Sequence, residues 1–355
     1  MSTLFIALLT VLLAANEPAA TSNKVSKASR LPVSAPDPND PLEKDYEKLL
    51  EDDDAAQEEA DKWIKEAEAF RAKGAPFSGD ALTARIEQRF APVRKAYEEF
   101  LQHHPDHVRA RLAYGSFLYE THDEDEGVAQ WEKARQLDPN NPAAWNNLAN
   151  HFGHRGPVKK AFEYYKKALE LKPDEPVYLQ NLATTMYLFR KDAMEHFSID
   201  EKEVFDRSLE LYRKAIKLDP TNFPLATDYA QSYYGIKPLR TEEALAAWNL
   251  ALKVANDEFE REGVYVHLAR VELNSGLFQE ARDHLSMVTN QFYSVLKDRL
   301  SRNIIEKEKK ATNAPAANGV TPSASAAPGS PPIGASPLPK GELPELPAAR
   351  PKREP

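Results

Sequence analysis

The feature that most constrains this chain is a spacing of 34 residues that recurs through its middle. Pro105, Pro139 and Pro173 keep this spacing. Three further sets keep it too: Gly115, Ala149 and Ala183; Trp131 and Tyr165; Ala134 and Ala168. Self-similarity at a fixed period of this length is typical of stacked supersecondary units. One unit can therefore be interpreted physically, and the interpretation applies to the others.

Residues 145–173 illustrate one unit. Two stripes of apolar residues at helical spacing flank a turn, which predicts two amphipathic helices folded back on each other. Ala149 and Ala161 are small, as close crossing of the two helices requires. Pro173 ends the second helix, because proline cannot continue the helical hydrogen bonds. The unit is therefore a helical hairpin.

The same register holds five times. In the five successive repeats, the small residue of the first helix is Gly115, Ala149, Ala183, Ala230 and Ala269. The small residue of the second helix is, in the same order, Gly127, Ala161, Ser208, Ala244 and Ala281. The large residue of the second helix is Trp131, Tyr165, Tyr212, Trp248 and Leu285. These residue types in this order resemble the tetratricopeptide repeat (TPR) family over roughly residues 92–290. The resemblance implies an all-α helical-hairpin solenoid, with an irregular helical bundle as the alternative. We expect a bacterial, exported member of the family.

The chain divides by composition and pattern. We predict a signal peptide at 1–15, a flexible linker at 16–41, an N-terminal amphipathic helix at 42–74, a TPR solenoid at 78–290, a C-terminal capping helix at 291–310 and a disordered Pro/Ala-rich tail at 311–355. The repeats lie near 108–141, 142–175, 176–222, 223–258 and 262–290, after a degenerate half repeat around Val93, Tyr97 and Phe100 with Pro92 in its first turn. The N-terminal helix either caps the first repeat or forms a coiled coil with a second copy.

One repeat carries an insertion. Tyr165 and Tyr212 stand 47 residues apart, which is 34 plus 13. Ser198 and Glu201 have the spacing of a capping box that opens a helix ending near Leu218. We therefore expect the third hairpin to be about two turns longer than its neighbours and to project about 10 Å beyond them.

The compartment is predicted from the apolar run Leu4–Ala15, which is too short to span a bilayer and is followed by polar residues. It predicts export to the periplasm or the cell exterior, although Met1–Thr3 contains no lysine or arginine. Retention as a membrane anchor through residues 4–15 and a cytosolic protein are the alternatives. The chain has no cysteine, which excludes disulfides and a thiol nucleophile.

The sequence contains none of the common catalytic motifs for hydrolases, P-loop enzymes or dinucleotide-binding enzymes. His103 and His107 have a metal-ligand spacing, but Pro105 interrupts the helix between them. A net charge of −9 argues against nucleic acid as the partner. We expect no enzymatic activity, no cofactor and no bound metal.

The TPR resemblance implies a peptide-binding inner surface formed by the first helices. In register, the inner positions are Asn147, Asn181 and Asp228 in a first row, Asn150, Thr184 and Gln231 in a second, and Tyr119, Tyr187 and Tyr234 in a third. Asn147 and Asn181 resemble the asparagine ladder of the protein O-GlcNAc transferase superhelix, and Asp228 departs from it. The basic residues of a chaperone-adaptor carboxylate clamp are absent, because the matching positions are Val177, Gln180, Pro224 and Asp228.

These observations favour a non-catalytic adaptor that binds an extended segment of another protein. Phe189, Met194 and Phe197 in the insertion form a possible second contact patch, unless they pack the longer helices together. A self-assembling structural protein of the envelope and a metal-dependent hydrolase are the alternative functions. A homo-oligomer is compatible with the sequence, and no membrane span is expected in the mature form.

Overall fold

The fold is described from a computed structural model, for residues 40–72 and 78–312. The predicted signal peptide, residues 16–39 of the predicted linker and residues 313–355 of the predicted tail lie outside the described residues. Residue 41 of the predicted linker and residues 311–312 of the predicted tail are helical. All regular elements of the described residues are helices, which confirms the predicted all-α class. The chain forms two compact units, and the boundary between them lies after Asn256.

The first unit begins with a long hairpin. Helix α1 is Pro41–Ala72 and α2 is Gly79–His103. Tyr46 of α1 is fully buried in one cluster with Tyr97 of α2 and Phe117 of the next helix. Asp53, which interrupts the apolar stripe of α1, is also buried and accepts a 2.6 Å hydrogen bond from the Tyr97 hydroxyl. The stripe of α1 therefore packs within its own chain around Tyr46 and Asp53, whereas Phe70 near the end of the helix is 60% exposed.

Two hairpins of nearly equal length follow. Helices α3 (Val108–Glu120) and α4 (Glu124–Leu137) form the first, and α5 (Pro142–Arg155) and α6 (Val158–Leu171) form the second. A Cβ atom placed on Gly127 would lie 2.7 Å from the Gly115 carbonyl oxygen, so the crossing point admits no side chain there. The small residues of the repeat register lie where the helices cross.

The third hairpin differs from its prediction. Helix α7 (Pro176–Leu188) is no longer than its neighbours, and the insertion forms a separate short helix, α8 (Arg190–Phe197), before α9 (Glu201–Leu218). Asp200, not Ser198, is the N-cap of α9, and its side chain accepts a hydrogen bond from the Glu203 amide. Ser198 has a left-handed φ of 56° and ends α8, so the chain turns there.

The fourth hairpin completes the first unit. Helix α10 (Phe223–Ser232) continues into a 3₁₀ turn, Tyr233–Gly235, and α11 is Thr241–Val254.

Pro92 is a second departure from prediction, because it lies in the interior of α2 rather than in the first turn of a helix. A proline there removes one helical hydrogen bond of α2.

The second unit is a smaller helical cluster. Helices α12 (Glu258–Ser275) and α13 (Phe278–Ser286) form a hairpin, followed by a 3₁₀ turn (Gln291–Tyr293) and α14 (Ser294–Thr312). Gly276 has a positive φ of 78°, which ends α12 in the left-handed conformation that glycine tolerates. Leu300 and Ile304 of α14 are buried against Leu273 of α12, so α14 covers the hairpin.

Candidate functional site

The first row of predicted groove residues does not form an exposed surface. Asn147, Asn181 and Asp228 are 0%, 6% and 6% exposed. The first helices of successive repeats pack side by side and cover this row. The prediction that these three side chains stand exposed on the inner wall is therefore wrong.

Amide groups of this row connect successive repeats. Asn181 Nδ2 donates to Asn146 Oδ1 at 3.1 Å, and Gln180 Nε2 donates to Asp228 Oδ2 at 2.7 Å. In both cases the residue that precedes a first-row position bonds the first-row residue of the next repeat. Buried polar groups need such partners, because an unsatisfied one costs about 1–3 kcal/mol. The row therefore stabilises the stack.

The second row is half-buried and is used differently in each repeat. Asn150 Oδ1 accepts a 2.6 Å hydrogen bond from the Tyr165 hydroxyl. Thr184 Oγ1 lies 2.7 Å from the Tyr212 hydroxyl. Each of these pairs joins the two helices of one hairpin. Gln231, the next member of the row, makes no hydrogen bond within the described residues, so its amide remains available to a ligand.

An open cleft of about 430 Å³ brings together five of the nine predicted residues. We call it the tyrosine cleft, and its lining consists of Thr184, Tyr187, Leu188, Arg190, Tyr212, Asp228, Gln231, Ser232, Tyr234, Gly235 and Lys237. The C-terminal ends of α7 and α10 supply most of these residues. Aromatic rings, an amide, a hydroxyl and a carboxylate thus converge on one concave surface.

Two aromatic rings of the tyrosine cleft, those of Tyr187 and Tyr234, pack against neighbouring residues of the chain. Tyr187 lies against Gly235, where an added Cβ would approach its ring to 2.7 Å. The Tyr187 ring centroid is 6.1 Å from that of Phe205, and the Tyr234 centroid is 6.0 Å from that of Trp248. Fixed rings lose little conformational entropy on binding, so they suit a recognition surface.

The charged residues of the tyrosine cleft differ in burial. Asp228 is buried, and its burial raises the pKa of its carboxyl to about 6 despite the opposing hydrogen bond from Gln180. Arg190 forms an ion pair with Glu201 at 2.9 Å. Lys237 is exposed at the rim and forms no ion pair with residues 40–72 or 78–312. The buried part of the cleft is therefore acidic and its rim is basic.

Four predicted groove residues lie outside this cleft: Asn147, Asn150, Asn181 and Tyr119. Tyr119 packs its ring 5.0 Å from Trp131 and 5.9 Å from His151. Six lining residues were not predicted: Leu188, Arg190, Tyr212, Ser232, Gly235 and Lys237. Arg190 and Lys237 are 47 residues apart, the spacing of the third repeat. Extending the register past the helix ends would have revealed both.

The second predicted patch is packed against its own chain at one of its three residues. Phe197 is 8% exposed, and its ring lies 5.3 Å from that of Phe162 on α6. Phe189 and Met194 are half-buried. Because α8 folds back onto α6 instead of extending the hairpin, Phe197 belongs to the core. The prediction of Phe197 as a contact residue is wrong.

The histidines considered as metal ligands serve the local structure. His107 caps α3, and its Nδ1 accepts a 3.0 Å hydrogen bond from the Ala110 amide. Burial lowers the pKa of His107, which favours the neutral ring that accepts this bond. His103 Nδ1 lies 2.7 Å from the Glu99 carbonyl oxygen. Across residues 40–72 and 78–312, no three histidine, aspartate or glutamate side chains are grouped to hold a metal ion.

The comparison with protein families agrees with the repeat register. Residues 122–176, which contain α4, α5 and α6, match the tetratricopeptide repeat family model. The chain contains tetratricopeptide repeats. In the part of the chain that the structure describes, each helix of the repeats and their flanks is too short or too polar to cross a membrane.

Other repeat proteins are similar over part of their length. A TPR repeat-containing protein of Methanocaldococcus jannaschii is 28% identical over 137 residues, which are 39% of this chain and 21% of that protein. Photosystem I assembly protein Ycf3 of Cyanophora paradoxa is 26% identical over 148 residues, which are 41% of this chain and 81% of Ycf3. The chain thus spans about a fifth of the archaeal relative.

Among solved structures, the type IV pilus biogenesis factor PilW is similar in backbone, with a TM-score of 0.48 and 12% identity. The match covers 68% of this chain and 97% of PilW. At this level of similarity, no ligand or pathway of PilW can be assigned to this chain.

Proposed function

We propose that this chain is a non-catalytic adaptor whose repeats bind an extended segment of another protein in the tyrosine cleft. The observation that carries the proposal is the convergence of Thr184, Tyr187, Gln231 and Tyr234 on one open concave surface. Stacked helical repeats commonly use such concave surfaces for binding. Amide and hydroxyl groups bond a peptide backbone, and tyrosine rings supply apolar contact area.

Gln231 offers the sharpest test, because its side chain lines the cleft and supports no hydrogen bond in the described residues. A random linear-peptide library displayed on phage is selected against the full chain, and a selected peptide is titrated by fluorescence anisotropy. Gln231→Trp fills the cleft, so we expect it to abolish binding. Gln136→Trp, on the exposed face of α4, is the matched control and is expected to bind as the wild type does.

Equal binding by Gln231→Trp and the wild type, with unchanged melting midpoints, would exclude the cleft as the binding site. A library that yields no binder to the full chain would count against peptide binding as such. Loss of binding by both tryptophan variants would indicate a general disturbance of the repeats, and it would contradict a local site.

Self-association through α1 or α8 has less support than binding of another protein. Tyr46 and Leu49 of α1 and Phe197 of α8 are buried in their own chain and offer no contact surface, although Phe70 of α1 is exposed. An adaptor needs a free concave surface, and the tyrosine cleft is one. The proposal is therefore confined to binding another protein.

Export to the periplasm or the cell exterior is the cellular part of the proposal. It is supported by the apolar run Leu4–Ala15, which lies outside the described residues. Cell fractionation of an expressed, C-terminally tagged chain checks it. Recovery in the periplasmic or medium fraction is expected, and recovery only in the cytosol would contradict it.

A further inference from the structure

The Asp228 carboxylate is under-satisfied for a buried charge. It is 6% exposed, lines the tyrosine cleft and accepts one hydrogen bond, from Gln180. An ionised carboxylate has about four acceptor sites. No lysine, arginine or histidine of residues 40–72 and 78–312 forms an ion pair with it. A buried carboxylate without a cation is costly, and such groups cluster at functional sites.

The surroundings of this carboxylate suit a cation. Tyr187, Tyr212 and Tyr234 line the same cleft. A cation over the face of a tyrosine ring is attracted by the electron density of the ring. Helices α7 and α10 end at the cleft, at Leu188 and Ser232. Helix C-termini carry a partial negative charge, which adds to the same preference.

The basic residues of the cleft do not cancel this preference. Arg190 is paired with Glu201 on α9. Lys237 is exposed, where salt screens charges beyond a Debye length of about 8 Å at physiological ionic strength. Asp228 is screened far less, because it is buried. The charge that a deeply inserted group meets is therefore negative.

We propose that the tyrosine cleft receives a lysine or arginine side chain of the bound segment, with its cationic head directed to the Asp228 carboxylate among the three tyrosine rings. The ammonium or guanidinium group supplies the donors that this carboxylate lacks. This inference rests on the proposed function and names the chemistry of its partner. It is the reverse of a carboxylate clamp, since an acidic residue occupies a position where that clamp is basic.

The probes are Nα-acetyl-lysine methylamide and Nα-acetyl-arginine methylamide, with Nα-acetyl-norleucine methylamide as the neutral match. Each is titrated into the isotope-labelled full chain while the amide shifts of Gln231 and Ser232 are followed by NMR. We expect saturable shifts with a cationic probe and affinity at least about tenfold weaker for norleucine, as loss of a charged hydrogen bond implies.

Two variants assign the effect. Asp228→Asn keeps the shape of the side chain and an acceptor for Gln180. We expect this variant to bind the cationic probes about tenfold more weakly than the wild type and to bind the norleucine probe equally well. Lys237→Ala removes the rim charge, and we expect it to tighten cationic binding at low salt. Equal affinity for the cationic and norleucine probes, or full cationic affinity in Asp228→Asn, would overturn the inference.

The two proposals fail separately. Library peptides that are blocked by Gln231→Trp but show no enrichment of lysine or arginine would leave peptide binding in the cleft intact and overturn the cation preference. Cationic probes that bind the cleft when no library peptide does would support the cation preference and count against segment binding.

Discussion

Gln180 Nε2 donates a 2.7 Å hydrogen bond to Asp228 Oδ2, and this bond joins the first helices of the third and fourth repeats. The bond only partly offsets the burial of the carboxylate, whose pKa is raised to about 6. A carboxyl with a raised pKa in the folded chain binds its proton more tightly there than in the unfolded chain. Ionised Asp228 therefore costs stability.

Asp228→Asn is expected to stabilise the chain at neutral pH. A rise from 3.8 to about 6 corresponds to up to about 3 kcal/mol. The cost of Asp228 is absent below the unfolded pKa of 3.8, grows as pH rises to about 6 and is complete above it. Urea unfolding of both proteins from pH 4 to pH 8 should show a gain for the variant that increases over this window. A gain independent of pH would contradict the assignment to Asp228 ionisation.

Gly115→Ala is expected to destabilise the first repeat. The added Cβ would lie 2.6 Å from the Trp131 ring and 2.9 Å from the Gly127 carbonyl oxygen, and overpacking of this kind costs about 1–3 kcal/mol. Gly153→Ala is the matched control in a helix, since its Cβ would meet Thr185 at 3.7 Å, an ordinary contact. We expect the control to be neutral or stabilising. Thermal unfolding checks both, and equal midpoints would mean that the crossing geometry is wrong.

Glu262→Ala is expected to loosen the second unit. The Glu262 carboxylate accepts hydrogen bonds from the Thr289 amide, the Asn290 amide and the Thr289 hydroxyl at 2.9, 2.6 and 2.7 Å. Burial alone raises the pKa of Glu262, but these bonds outweigh it and hold the pKa below its usual value. Losing them costs about 1–3 kcal/mol.

The pH dependence of Glu262 has the opposite sign to that of Asp228. Because its folded pKa is depressed, its contribution is present above the unfolded pKa of 4.5 and is lost as pH falls through the lower folded value. Urea unfolding should show the deficit of Glu262→Ala at pH 7 and its decline below pH 4.5. Glu280→Ala, on the exposed face of α13, is the control and should match the wild type.

Gly235→Ala is expected to weaken peptide binding in the tyrosine cleft with a small effect on stability. The new methyl group would displace the far end of the Tyr187 side chain, which approaches within 2.7 Å, and no backbone atom lies in the way. Anisotropy titration of a library-selected peptide and a melting curve separate the two effects. Wild-type affinity in this variant would show that the position of the Tyr187 ring does not matter for binding.

The hairpins could be predicted from the sequence because each position of the repeat has its own steric requirement. The repeat positions of Gly115 and Gly127, where two helices cross, carry a small residue in every repeat. The position of Trp131 carries a large residue in every repeat. The insertion was harder to predict. Its helical content follows from the sequence. The break at Phe189, which separates α8 from α7, and the turn at Ser198, which separates α8 from α9, do not.

The candidate site could be predicted only in part. Tyr187, Tyr234, Gln231, Thr184 and Asp228 follow from the register and line one cleft. The burial of Asn147 and Asn181 was missed, because the register gives a position on one helix and not what the neighbouring helix covers. The clue was present in sequence: Asn146 to Asn181 is 35 residues and Gln180 to Asp228 is 48, each one more than the repeat spacing.

The most direct test of segment binding in the tyrosine cleft is hydrogen–deuterium exchange of the full chain with and without a saturating library-selected peptide. We predict slower exchange in residues 184–190 and 228–237, the two segments that supply most of the cleft, and unchanged exchange in residues 124–137 of α4. Protection confined to other helices, with 184–190 and 228–237 unchanged, would contradict the proposal.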